Sequence, residues 1–141
     1  MELTSAELSQ LQFQLQAYAP AQSGVEKLIQ HQGQLEATLE DMLVETYGAP
    51  AEFGQPSLWA VTRDVLRQEL CSDEGFRGRI RAYLEKPNQA TLLTGAIIYL
   101  VEQVALPFVI SPAVAALVVL YVAKVGLDIF CQYTEPPGPN A

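Results

Sequence analysis

The last third of the chain constrains the fold most, because it holds two long apolar stretches that must be hidden from water. The first reads ATLLTGAIIYLVEQVAL from Ala90, and the second reads PAVAALVVLYVAKVGLDIFCQY from Pro112. Serine followed by proline at Ser111 and Pro112 is the cap-then-proline signature of a helix start. We therefore predict a helical hairpin over residues 89–133, buried at the centre of the protein.

Each arm of this hairpin is too short to cross a bilayer. A membrane-spanning helix needs roughly 20 apolar residues. The charge-free runs are 90–101 and 112–123, which end before Glu102 and Lys124, respectively. At about 1.5 Å per residue, each run extends only about 18 Å. We interpret the arms as central helices of a bundle, apolar on nearly all sides because other helices surround them.

Four amphipathic segments precede the hairpin and are suited to cover it. Apolar residues recur at helical spacing over 4–18, 23–47, 57–71 and 73–86. The first two segments begin with predicted capping boxes, Thr4–Glu7 and Ser23–Glu26. The next two begin at Ser57 and Ser72, and Asn88 is the predicted cap of the first hairpin arm. The sequence thus predicts an all-α fold, a compact bundle of about six helices around the apolar C-terminal hairpin.

Glycine and proline divide this chain into regions. Residues 1–48 form an amphipathic helical unit that ends at Gly48, and 49–56 form a Gly/Pro connector. Residues 57–134 supply the helices that pack on and include the hairpin, and the proline-rich residues 135–141 are a flexible tail. Periodicity leaves open whether Gly33 separates two helices or lies within one. We expect a single globular domain overall.

Charge and cysteine usage limit the environment and the partners. The net charge is −8, and residues 1–54 hold eight acids against Lys27 alone. This acidity argues against nucleic acid as a partner, since its recognition depends on neutralising phosphates. Cys71 and Cys131 are sixty positions apart without a CxxC motif, which favours reduced thiols, and the N-terminus lacks a secretory signal pattern. We expect a cytoplasmic protein, with membrane association as the alternative.

The sequence offers no pattern for catalysis. His31 is the single histidine, and it lies on the polar side of its helix next to Gly33. No metal-ligand spacing, phosphate-binding glycine loop or nucleotide motif is present. We expect neither an enzyme nor a protein that uses a metal or another cofactor.

Paired arginines and a few aromatic residues are the candidates for binding a partner. Arginines one helical turn apart can hold a carboxylate or phosphate, unless they pair with acids of the same chain. The candidate arginines are Arg63, Arg67, Arg77 and Arg81, and the candidate aromatic residues are Trp59, Phe53, Phe108 and Phe130.

The hairpin has a narrow polar edge formed by Glu102, Lys124 and Asp128. We interpret this edge as solvent-exposed. The functional alternative is that Glu102 pairs with Lys124 across the hairpin and leaves Asp128 for a partner.

These observations favour a non-enzymatic intracellular helical module that binds another protein or itself, as an adaptor or regulatory subunit. An alternative starts from the apolar hairpin of residues 89–133 enclosed by amphipathic helices, an arrangement that resembles helical pore-forming proteins such as colicin-like toxins and Bcl-2-like proteins. That resemblance implies a membrane-active effector whose hairpin inserts into a bilayer. A third alternative is a small-ligand carrier with a pocket between the two arms.

Overall fold

The computed structural model describes residues 2–48, 57–71 and 74–133. These residues fold into helices, and their only strand-like contact is an isolated antiparallel bridge between Glu2 and Gln34. The α-helices are α1 (Ser5–Gln14), α2 (Gln22–Gln30), α3 (Leu35–Tyr47), α4 (Leu58–Cys71), α5 (Glu74–Glu85), α6 (Ala90–Gln103), α7 (Pro112–Val125) and α8 (Leu127–Tyr133). Short 3-10 turns over Leu15–Ala17 and Ala19–Ala21 join α1 to α2. The predicted all-helical fold is confirmed.

The centre of the protein is one helix, α7, and not the whole hairpin. Ten consecutive residues of α7, from Ala113 to Val122, are buried, because α2, α3, α5, α6 and α8 all pack around it. α6 buries only one stripe, formed by Leu93, Ala96, Ile97 and Leu100. Other helices surround α7 on nearly all sides, as was expected of both arms, whereas α6 is not surrounded in this way and belongs to the covering layer.

The second arm is also shorter than predicted. Gly126 has φ +92°, a conformation that favours glycine, and it ends α7 by donating its N–H to the Val122 carbonyl. The chain then turns into α8, so residues 112–133 form two helices. No helix among the described residues is long and apolar enough to cross a membrane.

Several helix ends follow the predicted local chemistry. The Thr4–Glu7 capping box is formed in both directions, and the Ser111 hydroxyl accepts a hydrogen bond from the Val114 N–H. Ser57 caps α4 by accepting from the Ala60 N–H at 3.1 Å. Gly48 ends α3 with φ +83°.

Two predicted caps are wrong, because neighbouring residues begin those helices. α2 starts at Gln22, so Ser23 lies inside it, and Gln89 rather than Asn88 precedes α6. Asn88 instead accepts a hydrogen bond from Gln10 at 2.9 Å. The predicted connector 49–56, the Ser72 cap and the tail 135–141 lie outside the described residues.

Gly33 does separate two helices. It has φ +84°, and its carbonyl accepts a hydrogen bond from the Leu3 N–H at 2.9 Å, which ties the N-terminus to the turn between α2 and α3. A Cβ at this position would lie against the Leu3 carbonyl oxygen, so the turn has room only for glycine.

The two cysteines form a disulfide bond, Cys71–Cys131, with their Cα atoms 5.7 Å apart. The expectation of reduced thiols is therefore wrong. The cause is tertiary, because the Gly126 turn folds α8 back against α4 and brings the sulfurs together across sixty positions. The bond fixes the short C-terminal helix to the body of the protein.

Candidate functional site: an arginine ridge on α4

Four side chains on α4 recur at every fourth position and therefore follow one side of the helix. They are Trp59, Arg63, Arg67 and Cys71, and we call this row the α4 ridge. Cys71 at its end is held by the disulfide to α8. The ridge thus runs from the core-facing indole to the covalent link between α4 and α8.

Trp59 anchors the ridge in the core. It is only 2 % exposed, and its ring meets Tyr121 of α7 edge to face with centroids 4.9 Å apart. Tyr121 in turn meets Phe130 of α8, which is 1 % exposed. Trp59 and Phe130 are therefore core residues, and the expectation that either lies in an exposed docking patch is wrong.

Arg63 and Arg67 are the central members of the ridge, and both are half-buried. The Arg63 guanidinium carbon lies 5.7 Å from the Trp59 ring centroid, a cation–π contact. The Nε atoms of both arginines and the indole Nε1 of Trp59 are buried, and none finds a hydrogen-bond partner among the described residues. Neither arginine forms an ion pair with an acid in the described part of the chain.

The other two candidate arginines are engaged within the protein. Arg77 donates to the Leu70 carbonyl at 2.9 Å and also contacts Asp128 and the Cys131 sulfur. Arg81 pairs with Glu74 at 3.2 Å. The structure therefore separates the four arginines into Arg77 and Arg81, which pair within the protein, and Arg63 and Arg67, which have no acidic partner among the described residues.

The polar edge of the hairpin does not form the ion pair between Glu102 and Lys124 that was the predicted functional alternative. Lys124 Nζ lies 3.1 Å from both carboxylate oxygens of Glu7, so it joins α7 to α1, and the predicted pairing with Glu102 is not formed. Glu102 is exposed on α6. Asp128, whose side chain is 90 % exposed, lies 3.4 Å from Arg77.

Phe108 lies in the loop between α6 and α7. It is half-buried and meets Tyr47 edge to face with ring centroids 5.2 Å apart. Tyr47 also donates a hydrogen bond to the Val109 carbonyl, and the Val109 side chain is 85 % exposed. Through this small aromatic cluster, the C-terminal end of α3 packs against the loop. Phe53, the remaining aromatic candidate, lies outside the described residues.

The chemistry available at the ridge is anion binding. Each guanidinium offers several N–H donors in one plane, which match the two oxygens of a carboxylate. No group of three or more histidine, cysteine, aspartate or glutamate side chains that could hold a metal ion occurs in the described part of the chain.

Sequence reasoning identified Arg63 and Arg67 as candidates but missed two long-range contacts of the fold. The disulfide joins residues 60 positions apart and the Glu7–Lys124 pair joins residues 117 positions apart, and no local sequence pattern signals such contacts.

Neither the protein-family models, nor the curated proteins, nor the solved structures with which the chain was compared gave a match.

Proposed function

We propose that this chain is a non-enzymatic helical interaction module, acting as an adaptor or regulatory subunit, and that the α4 ridge binds an acidic segment of a partner protein. The observation that carries the proposal is the pair Arg63 and Arg67. Both are half-buried cations without an acidic partner among the described residues, in a chain whose net charge is −8.

The energetic argument starts from the buried donors. A buried N–H without an acceptor costs about 1–3 kcal/mol, because it loses its hydrogen bonds to water. Three such donors lie along the ridge, on Trp59, Arg63 and Arg67. The terminal guanidinium nitrogens are not among these buried atoms, so a carboxylate supplied by another molecule can accept from both terminal nitrogens of one guanidinium and stabilise the half-buried cation.

Charge favours a short acidic protein segment over a polyanion. The chain's sixteen acids exceed its eight bases, so its overall field repels nucleic acid and anionic membrane surfaces. A segment with a few glutamates has only to satisfy the local positive potential of the ridge. The acidic residues of a second copy would meet the same requirement, which makes self-association the competing outcome.

The test measures binding of a short, fluorescein-labelled glutamate-rich peptide by fluorescence anisotropy. The double variant Arg63→Gln with Arg67→Gln should weaken binding by about tenfold or more, since each bidentate contact is worth about 1.5–3 kcal/mol. Arg81→Gln is the matched control, because Arg81 is already paired with Glu74. Equal binding by the wild type and the double variant would refute the proposed site.

Two further measurements distinguish the sources of the anion. Trp59 is the single tryptophan and contacts Arg63, so its emission should change when the peptide binds at the ridge. Sedimentation velocity with and without the double substitution detects self-association through the same arginines. Vesicles containing anionic lipid should leave the emission of Trp59 unchanged, and binding to vesicles in preference to peptide would contradict the assignment to a protein partner.

A further inference from the structure

A crevice of about 200 Å³ lies between α1, α5 and α7, away from the arginine ridge. Its walls are mainly apolar. Six of the side chains that form them are Leu3, Leu11, Leu84, Pro87, Leu120 and Ala123. A dry cavity of about 150 Å³ is enough to bind benzene, so this crevice has room for one substituted ring. It does not lie between α6 and α7, where a carrier pocket was predicted.

One end of the crevice is polar. Tyr83 of α5 is 8 % exposed, and its hydroxyl forms no hydrogen bond with any described residue. Burial raises the pKa of Tyr83, and the nearby Glu7 carboxylate acts in the same direction, so the hydroxyl stays protonated at neutral pH and remains a donor. The hydroxyl oxygen is not among the buried unsatisfied atoms, so it is open to the crevice and can donate to a ligand that brings an acceptor.

The charged groups around this end are already balanced. Lys124 donates to both oxygens of Glu7, and Glu7 also accepts from the Thr4 backbone N–H at 3.0 Å. Gln14, which lines the same crevice, donates to the Pro87 carbonyl. A charged ligand would have to compete with the Glu7–Lys124 pair, whereas a neutral one would not.

From this arrangement we infer that the crevice is a binding site for a small uncharged molecule, an aromatic ring bearing one carbonyl or hydroxyl oxygen, which accepts a hydrogen bond from Tyr83. The ring occupies the space between Leu11, Leu84 and Leu120. This site is independent of the proposed function of the α4 ridge, since the two surfaces share no residue.

The test uses acetophenone as the probe, with benzoate and benzylamine as charged analogues of similar size. Titration of the isotope-labelled full chain should shift backbone amide resonances of residues lining the crevice, Tyr83 and Lys124 among them. We expect acetophenone to bind more tightly than either charged analogue. Shifts confined to another surface, or tighter binding of benzoate or benzylamine, would overturn the inference.

Two variants test the polar and apolar ends separately. Tyr83→Phe removes only the hydroxyl and should weaken acetophenone binding by about three- to tenfold, the value of one hydrogen bond. Tyr99→Phe is the matched control, because Tyr99 lies on α6 outside this crevice. Ala123→Phe should fill the space and abolish the shifts. Unchanged affinity in Tyr83→Phe would refute the proposed donor.

Discussion

Cys71 at the end of α4 is covalently joined to Cys131 of α8. α8 has only seven residues, and an isolated helix of that length is unstable in water. Its position therefore depends on tertiary contacts, among them the disulfide and the packing of Phe130 against Tyr121. The same link fixes the end of the arginine ridge, so the structure of the candidate site and the oxidation state of the chain are connected.

Removal of this disulfide should destabilise the protein. The bond spans sixty positions, and restricting a loop of that length in the unfolded chain is worth about 4 kcal/mol. We expect the double variant Cys71→Ser with Cys131→Ser to lower the free energy of unfolding by about 2–4 kcal/mol, the usual range for a native disulfide. Urea titrations followed by circular dichroism measure this loss. Addition of a reductant should reproduce this loss in the wild type and leave the double variant unaffected. Identical midpoints in all samples would contradict the cross-link.

Acid should weaken the attachment of α1 through Glu7. The hydrogen bond from the Thr4 backbone N–H is the main cause that holds the pKa of Glu7 below 4.5, and Lys124 acts in the same direction against partial burial. A lowered folded-state pKa means that the stabilisation is present above the unfolded-state value and is lost as the pH falls through the folded value. Since the Glu7 side chain is 39 % exposed, we expect an effect of only a few tenths of a kcal/mol.

The measurement is the free energy of unfolding of the wild type and Glu7→Gln from neutral pH down through the carboxylate range. The difference between the two should shrink as the pH falls below 4.5, because protonated Glu7 has lost its charge as well. Glu85→Gln is the control on an exposed helical glutamate. A difference that grows on acidification would show that the sign is wrong.

Two helical glycines should respond to alanine in opposite directions. A Cβ on Gly24 of α2 would lie 2.5 Å from the Ala113 carbonyl oxygen, since α2 crosses α7 closely at this point. Gly24→Ala should therefore destabilise the protein by about 1–3 kcal/mol. A Cβ on Gly78 of α5 would meet nothing within 4 Å, so Gly78→Ala should stabilise by about 0.4–1 kcal/mol. Thermal unfolding of both variants checks this: a Gly24→Ala variant as stable as the wild type would contradict the close crossing, and a destabilised Gly78→Ala would contradict the open space at Gly78.

Local chemistry explains which parts of the fold could be predicted from the sequence. The Thr4–Glu7 capping box and the Ser111 cap depend on residues within a few positions of each other, and both are formed. The break at Gly126 was not predicted, because a glycine between apolar residues is also compatible with a continuous helix, and tertiary packing decides between the two.

The residues of the candidate site could also be predicted only as far as local spacing allows. The spacing of Arg63 and Arg67 predicted a pair on one side of α4, but sequence alone did not separate these residues from Arg77, which has the same spacing to Arg81. The separation depends on Asp128 and Glu74, which the fold places beside Arg77 and Arg81. Which acid pairs with which arginine is therefore determined by the tertiary structure and cannot be read from local spacing.

The unequal burial of α6 and α7 predicts unequal responses to the same substitution. Val118 of α7 is fully buried, and Val→Ala there removes two buried methyl groups and leaves a cavity, which should cost about 2–3 kcal/mol. Val101 of α6 is half-buried, so Val101→Ala should cost about 1 kcal/mol or less. Urea titrations of the two variants compare the arms directly. Similar losses would mean that both arms are equally central, as the hydropathy of the sequence alone suggests, and would contradict the placement of α6 in the covering layer.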